Sequence, residues 1–160
     1  MNFYTYLMML SIGSALWACG GGTKNAGTEQ ENPADKEEVS KGIGEVKDIQ
    51  LTDPLVADLV RSGKKSYETK CSGCHKLNDE RIVGPGWAGV TNKRSPEWIM
   101  NMITNVDVML EEDEEAQKLL EECITRMPNQ KIAIDEARGI LEYMRKNDED
   151  QLGSKDGAAR

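Results

Sequence analysis

Residues 3–18, "FYTYLMMLSIGSALWA", form an almost unbroken apolar run. No apolar period follows until "VKDIQL", and from Asp53 to about Asn147 apolar residues then recur at the spacing of helix faces, with few alternating β-branched runs. Asp53 before Pro54 reads as a helix start, with Asp as N-cap and Pro at the first helical position; Leu55, Leu59 and Tyr67 fall on related faces behind it. Gly63 either breaks that stretch or permits close helix packing. Ser95–Pro96 opens a second helix bearing Trp98, Ile99, Met102 and Ile103. A third stripe runs through Ala116, Leu119, Leu120, Cys123, Ile124 and Met127. The last carries Ile134, Ala137, Ile140, Leu141 and Met144, with Asp135 and Glu136 early and Arg145 and Lys146 late, the order favoured by the helix dipole. The predicted fold is all-α, four to five short helices in one domain over 53–147.

The opening run is shorter than the roughly 20 residues a spanning helix needs and reads as a signal peptide over 1–18. "LWACGGG" resembles a bacterial lipobox, which makes Cys19 a lipidation site, although no Lys or Arg precedes Lys24. An uncleaved anchor and a plain signal with an incidental Cys are the alternatives. Each places the remainder outside the cytoplasm, and with a lipid at Cys19 the protein would be membrane-anchored, facing the periplasm or cell exterior. Residues 19–52 read as a flexible acidic tether and 148–160, "DEDQLGSKDGAAR", as a disordered tail.

Composition narrows the function. A net charge of −8 and a pI near 4.8 argue against nucleic-acid binding, because phosphate neutralisation needs a basic surface. Only 5% of residues are aromatic, lean for a self-sufficient core, so a large apolar cofactor would help fill it. Eight methionines supply flexible filler and candidate soft ligands.

The stretch "KCSGCHKL" holds the chain's single histidine immediately after Cys71-x-x-Cys74. Zinc requires about four ligands in tetrahedral array, and adjacent Cys74 and His75 cannot both turn comfortably to one ion. A thioredoxin-type dithiol needs a βαβ context that the pattern does not supply. Covalent haem attachment suits the spacing: two thiols one helical turn apart reach two vinyl groups, and the next residue offers its imidazole to the iron. His75 is then the proximal iron ligand.

From these residues the chain resembles the class I c-type cytochromes over about residues 60–146. Gly63 and Tyr67 precede the motif, "GPGWAGV" follows it, and "RSPEW", "RMPN" and "ILEYM" come in the family's order. The resemblance implies one covalent haem c and single-electron transfer between respiratory membrane complexes, or to a terminal reductase or oxidase, without catalysis. It makes Met127, before Pro128, the distal ligand, with a place as the last apolar residue of its helix stripe as the other reading; Met100, Met102 and Met109 are explained by packing. It implies that the Pro85 carbonyl accepts from the His75 ring, that Arg94 pairs with a haem propionate, and that Trp98 or Trp87 packs on the haem or donates to a propionate. A loop bend, a surface Arg and ordinary core Trp residues are the plainer readings. The acidic run Glu111–Glu115 is a solvated helix face or a dock for a basic redox partner, and Cys123 a buried inert thiol. A haem enzyme or gas sensor with an open distal site, and a permanent cytochrome subunit of a larger oxidoreductase, are the competing functions.

Overall fold

The computed structural model describes residues 39–123 and 125–159. The signal peptide, Cys19 and the tether as far as residue 38 lie outside the described residues, as do Ile124 and Arg160. Among the described residues six α-helices follow in chain order: α1 Ala57–Ser66, continued by a π-turn over Tyr67–Cys71, α2 Val90–Lys93, α3 Pro96–Thr104, α4 Val106–Glu112, α5 Glu114–Glu121 and α6 Ile134–Leu152. A 3₁₀ turn spans Gly157–Ala159. Among the described residues there is no strand, only an isolated antiparallel bridge between His75 and Arg81. No described helix is long and apolar enough to cross a membrane.

The frame is the crossing of α1 on α6. Gly63 lies buried against Gly139, so close that a Cβ on Gly63 would stand 1.9 Å from the Gly139 carbonyl oxygen. Gly63 therefore lets two backbones touch, and does not break its helix. The apolar faces of α3 and α6 meet beside this crossing, where Met100, Ile140 and Leu141 are almost wholly buried. At the start of α3, Ser95 is the predicted cap: its Oγ accepts from the Trp98 N–H at 3.1 Å, and Pro96 takes the first turn.

Four sequence expectations are corrected. Helix α1 begins at Ala57, not at Pro54: Val56 is still extended, and its N–H donates to the buried Glu142 carboxylate at 2.8 Å. The third stripe is helical only in its first half: α5, capped by Asp113 Oδ1 accepting from the Ala116 N–H, ends at Glu121, so Cys123 and Met127 lie in the loop beyond.

The remaining two corrections concern the chain ends. Residues 39–52 are a strap across α3 and α4. The Asn101 side chain accepts from the Val46 N–H and donates to the Val46 and Lys41 carbonyls, and Glu97 accepts from the Ile49 N–H. Residues 148–159 are ordered too: α6 runs on to Leu152, and Arg145, 1% exposed, binds Asp156 at 2.7–2.8 Å and Glu142 at 2.9 Å. Asp148 accepts from the Gly89 and Thr91 N–H groups and the Thr91 hydroxyl, anchoring α2. Every deeply buried side-chain N or O atom among the described residues has a partner.

Candidate haem-attachment site

The site grows out of the end of α1. The π-turn carries Cys71 outward, and the Cys74 and His75 N–H groups both return to the Cys71 carbonyl, at 3.0 and 2.9 Å. This tight turn places both thiols and the imidazole within five residues of one coil. Tyr67, at the start of the π-turn, closes it by donating from its hydroxyl to the His75 carbonyl at 2.9 Å. Tyr67 also packs against Trp87 and Tyr143, with ring centroids 4.9 and 5.6 Å apart.

The imidazole is held from behind. His75 Nδ1–H donates to the Pro85 carbonyl at 2.8 Å, the contact the resemblance implies. With that proton fixed, neutral His75 presents its Nε2 lone pair away from Pro85. Gly84 makes room for the ring: a Cβ there would stand 2.4 Å from His75 Cε1. The loop is closed by the Gly84 N–H on the Cys74 carbonyl at 2.8 Å and by the Trp87 N–H on the Lys76 carbonyl at 2.9 Å. Burial pushes the His75 pKa down, against the pull of the Pro85 contact, which favours the neutral ring that a metal needs. Burial, with Glu136 adding to it, pushes the Cys71 thiol up to about 11.

These donors fit a haem c: two free, half-buried thiols three positions apart, and one imidazole whose other nitrogen is already fixed. Among the described residues no three His, Cys, Asp or Glu side chains converge as ligands, so a four-ligand zinc centre lacks its donor set. The absence of a βαβ unit among them likewise leaves the dithiol reading without its scaffold.

The other predicted residues are placed as follows. Met127 is half-buried at the edge of the core, in the loop between α5 and α6. Its rivals are engaged elsewhere: Met100 is fully buried in α3, and Met109 Sδ accepts the Ile43 N–H from the strap at 3.0 Å. Trp87 is buried 5.8 Å from the His75 ring, centroid to centroid. The single indole N–H of Trp98 goes to the buried Asp113 at 3.0 Å, so here it offers no donor to a propionate. Arg94 binds Glu115 at 2.6 Å and lies over the Trp98 ring. Hydrogen bonds from Lys118 and then Arg94 hold the Glu115 carboxyl down at about 2. Cys123 is half-buried and accepts from Arg81 at 3.1 Å.

Sequence reasoning missed Gly84 and the Tyr67 hydroxyl as supports of His75. The doubled glycine around Pro85 was the available signal for the first. For the second the only hint was an aromatic eight residues before the histidine.

A cytochrome c family model matches residues 60–148. No curated protein matches the chain. Among solved structures, the cytochrome c from Rhodothermus marinus is 36% identical, with 68% of this chain and 92% of that one covered and a TM-score of 0.65. An engineered form of that cytochrome is 35% identical over 66% of this chain and 91% of its own, with a TM-score of 0.63. The engineered form bound to a carbene intermediate is 36% identical over the same shares, at 0.61.

Proposed function

Because this chain belongs to the cytochrome c family, with one covalently attached haem c as its cofactor, we propose that it is a one-electron carrier whose iron is closed on both faces. The observation that carries the reading is His75, fixed through Nδ1 by Pro85 and seated beside two free thiols. Cys71 and Cys74 would hold the haem covalently, His75 Nε2 would be the proximal ligand and the Met127 thioether the distal one. When bound, the haem would supply a ferric–ferrous couple, and ligation by the Met127 thioether opposite His75 would favour the reduced state. The chain's own part is to hold the two axial side chains and to exclude water. Pro85 and Gly84 fix the ring, while Pro128, with its locked φ and no N–H, stiffens the loop behind Met127.

The test is coordination. The ferric protein should show the far-red thioether-to-iron charge-transfer band, and the ferrous protein should not bind CO. Met127→Ala should abolish the band, lower the potential and admit CO, while the haem stays covalently bound. Met100→Ala and Met109→Ala should keep the band; each costs packing of about 2–5 kcal/mol, and Met109→Ala also frees the Ile43 N–H. A wild-type protein that is high-spin and binds CO at once would hand the lead to the haem-enzyme or sensor reading. The carbene-bound structure is of an engineered relative and supports no such activity in this chain.

The same proposal includes export and a lipid at Cys19, carrying electrons between membrane complexes or to a terminal reductase or oxidase. Its support is the apolar run ending in "LWACGGG". Cys19→Ala should move the mature protein out of the membrane fraction, and a wild type that is soluble without detergent would end this part of the reading. A basic partner at Glu111–Glu115 meets a reduced patch: Asp113 is buried as a cap, Glu115 is held by Arg94 and Lys118, and Glu111 faces Arg126 at 3.3 Å. Glu112 and Glu114 are the exposed carboxylates best placed to meet a cation. Permanent membership of a larger oxidoreductase is separated from a free carrier by what co-purifies from membranes.

A further inference from the structure

The two segments that carry the axial side chains touch at one charged residue. Arg81 lies in the loop between His75 and Pro85, and its backbone pairs with that of His75 itself. Its guanidinium reaches away to the far loop: Nη1 donates to the Glu122 carbonyl at 2.9 Å and to Cys123 Sγ at 3.1 Å, and Nη2 to the Glu122 carboxylate at 3.0 Å. These residues begin the loop that holds Met127. The later half of that loop is tied to α4 instead, through Arg126 on the Asp107 carbonyl at 3.2 Å and Asn129 on the Asp107 carboxylate at 3.0 Å. Arg81 is thus the described side chain through which the start of the Met127 loop is joined to the His75 loop.

We propose that Arg81 is a positioning residue, a clasp that holds the Met127 loop against the proximal loop and so limits how often the thioether leaves the iron. This rests on the proposed ligation by Met127. The planar fork of Arg suits the task, since it can serve a carbonyl and a carboxylate of one residue at once, where a Lys ammonium is a point donor. The exposed ion pair alone contributes little. The added hydrogen bond from a cation to a backbone carbonyl is what fixes the loop rather than a side chain.

The experiment is competition by free imidazole for the ferric holoprotein, followed through loss of the far-red band, and through the shift of the Soret band where Met127 is replaced and the far-red band is absent. Imidazole binds only molecules whose loop is open, so its apparent Kd is its intrinsic value divided by the open fraction. Arg81→Gln should tighten the apparent Kd about threefold to tenfold, with the band still present before imidazole is added. Arg81→Lys should recover part of the difference, and Glu122→Gln, which leaves the carbonyl contact, should give a smaller shift in the same direction. In a Met127→Ala background the effect of Arg81→Gln should vanish, because no thioether then competes. An unchanged Kd in Arg81→Gln, or an equal shift in the Met127→Ala background, overturns the clasp, the latter by showing general loosening. A wild type without the band overturns Met127 ligation instead, so the two failures are distinguishable.

Discussion

Replacing Cys71 and Cys74 together with Ser is expected to leave no covalent haem on the chain. Acid-acetone should extract all of it from the double variant and none from the wild type. Mass spectrometry should find haem on the wild-type peptide that contains both residues. The expectation follows from the turn: both N–H groups that return to the Cys71 carbonyl hold Cys74 and His75 on the same coil, so the two sulfurs and the imidazole address one ligand together. Each single variant should keep one thioether and resist extraction, because the backbone turn that holds the remaining thiol beside the Pro85-bound His75 is unchanged. Cys123 is the internal control. It is the other free thiol among the described residues, yet it is engaged by Arg81 on a different loop, and Cys123→Ser should leave attachment unchanged. Extractable haem in the wild type, or haem mass on the Cys123 peptide, would end the assignment of the attachment site.

The site was legible in the sequence because its chemistry is local. Cys71, Cys74 and His75 lie within five positions, and Pro85 is ten residues from the ring it holds, in a Gly-Pro-Gly turn that can be read directly. The Ser95–Pro96 start was legible for the same reason, since a cap and the N–H it accepts from are three residues apart. Asp113 was not, because a cap inside an acidic run looks like its neighbours. Only its burial and its bond to Trp98 set it apart.

The strap and the tail were misread on one physical ground. Composition counts charges and polar residues but says nothing of their partners. Val46 meets Asn101 at a separation of 55 residues, and the Thr52 carbonyl meets Arg145 at 93. Segments whose polar groups are met by distant side chains have the composition of disorder and the hydrogen bonding of a fold. The Arg145–Asp156 and Arg145–Glu142 pairs are buried on the Arg side, where losing one partner leaves an uncompensated charge, so their cost and their ordering effect go together.

Two glycines face each other where α1 crosses α6, and Gly-to-Ala changes at them should differ sharply. At Gly63 a Cβ would lie 1.9 Å from the Gly139 carbonyl oxygen and 2.4 Å from its carbon. Those atoms are backbone of the partner helix and cannot turn aside, so the helices must separate along their whole contact. Gly63→Ala should cost about 3 kcal/mol or more and lower the Tm of the holoprotein by roughly 10 °C or more. At Gly139 the nearest atom to a Cβ is the Ser62 hydroxyl at 2.8 Å, a side chain on the exposed face that can rotate, and backbone lies at 3.3 Å or beyond. Ala also gains about 1 kcal/mol over Gly inside a helix, which offsets most of the crowding there. Gly139→Ala should therefore stay within about 1 kcal/mol of wild type. Because the crossing also anchors the end of α1 from which Cys71 leaves, Gly63→Ala should reduce the yield of haem-loaded protein as well as its Tm. Thermal unfolding of both variants decides the matter: equal losses would mean that the two helices do not meet backbone to backbone at Gly63, and a Gly63→Ala protein melting with the wild type would remove the crossing as the frame of the fold.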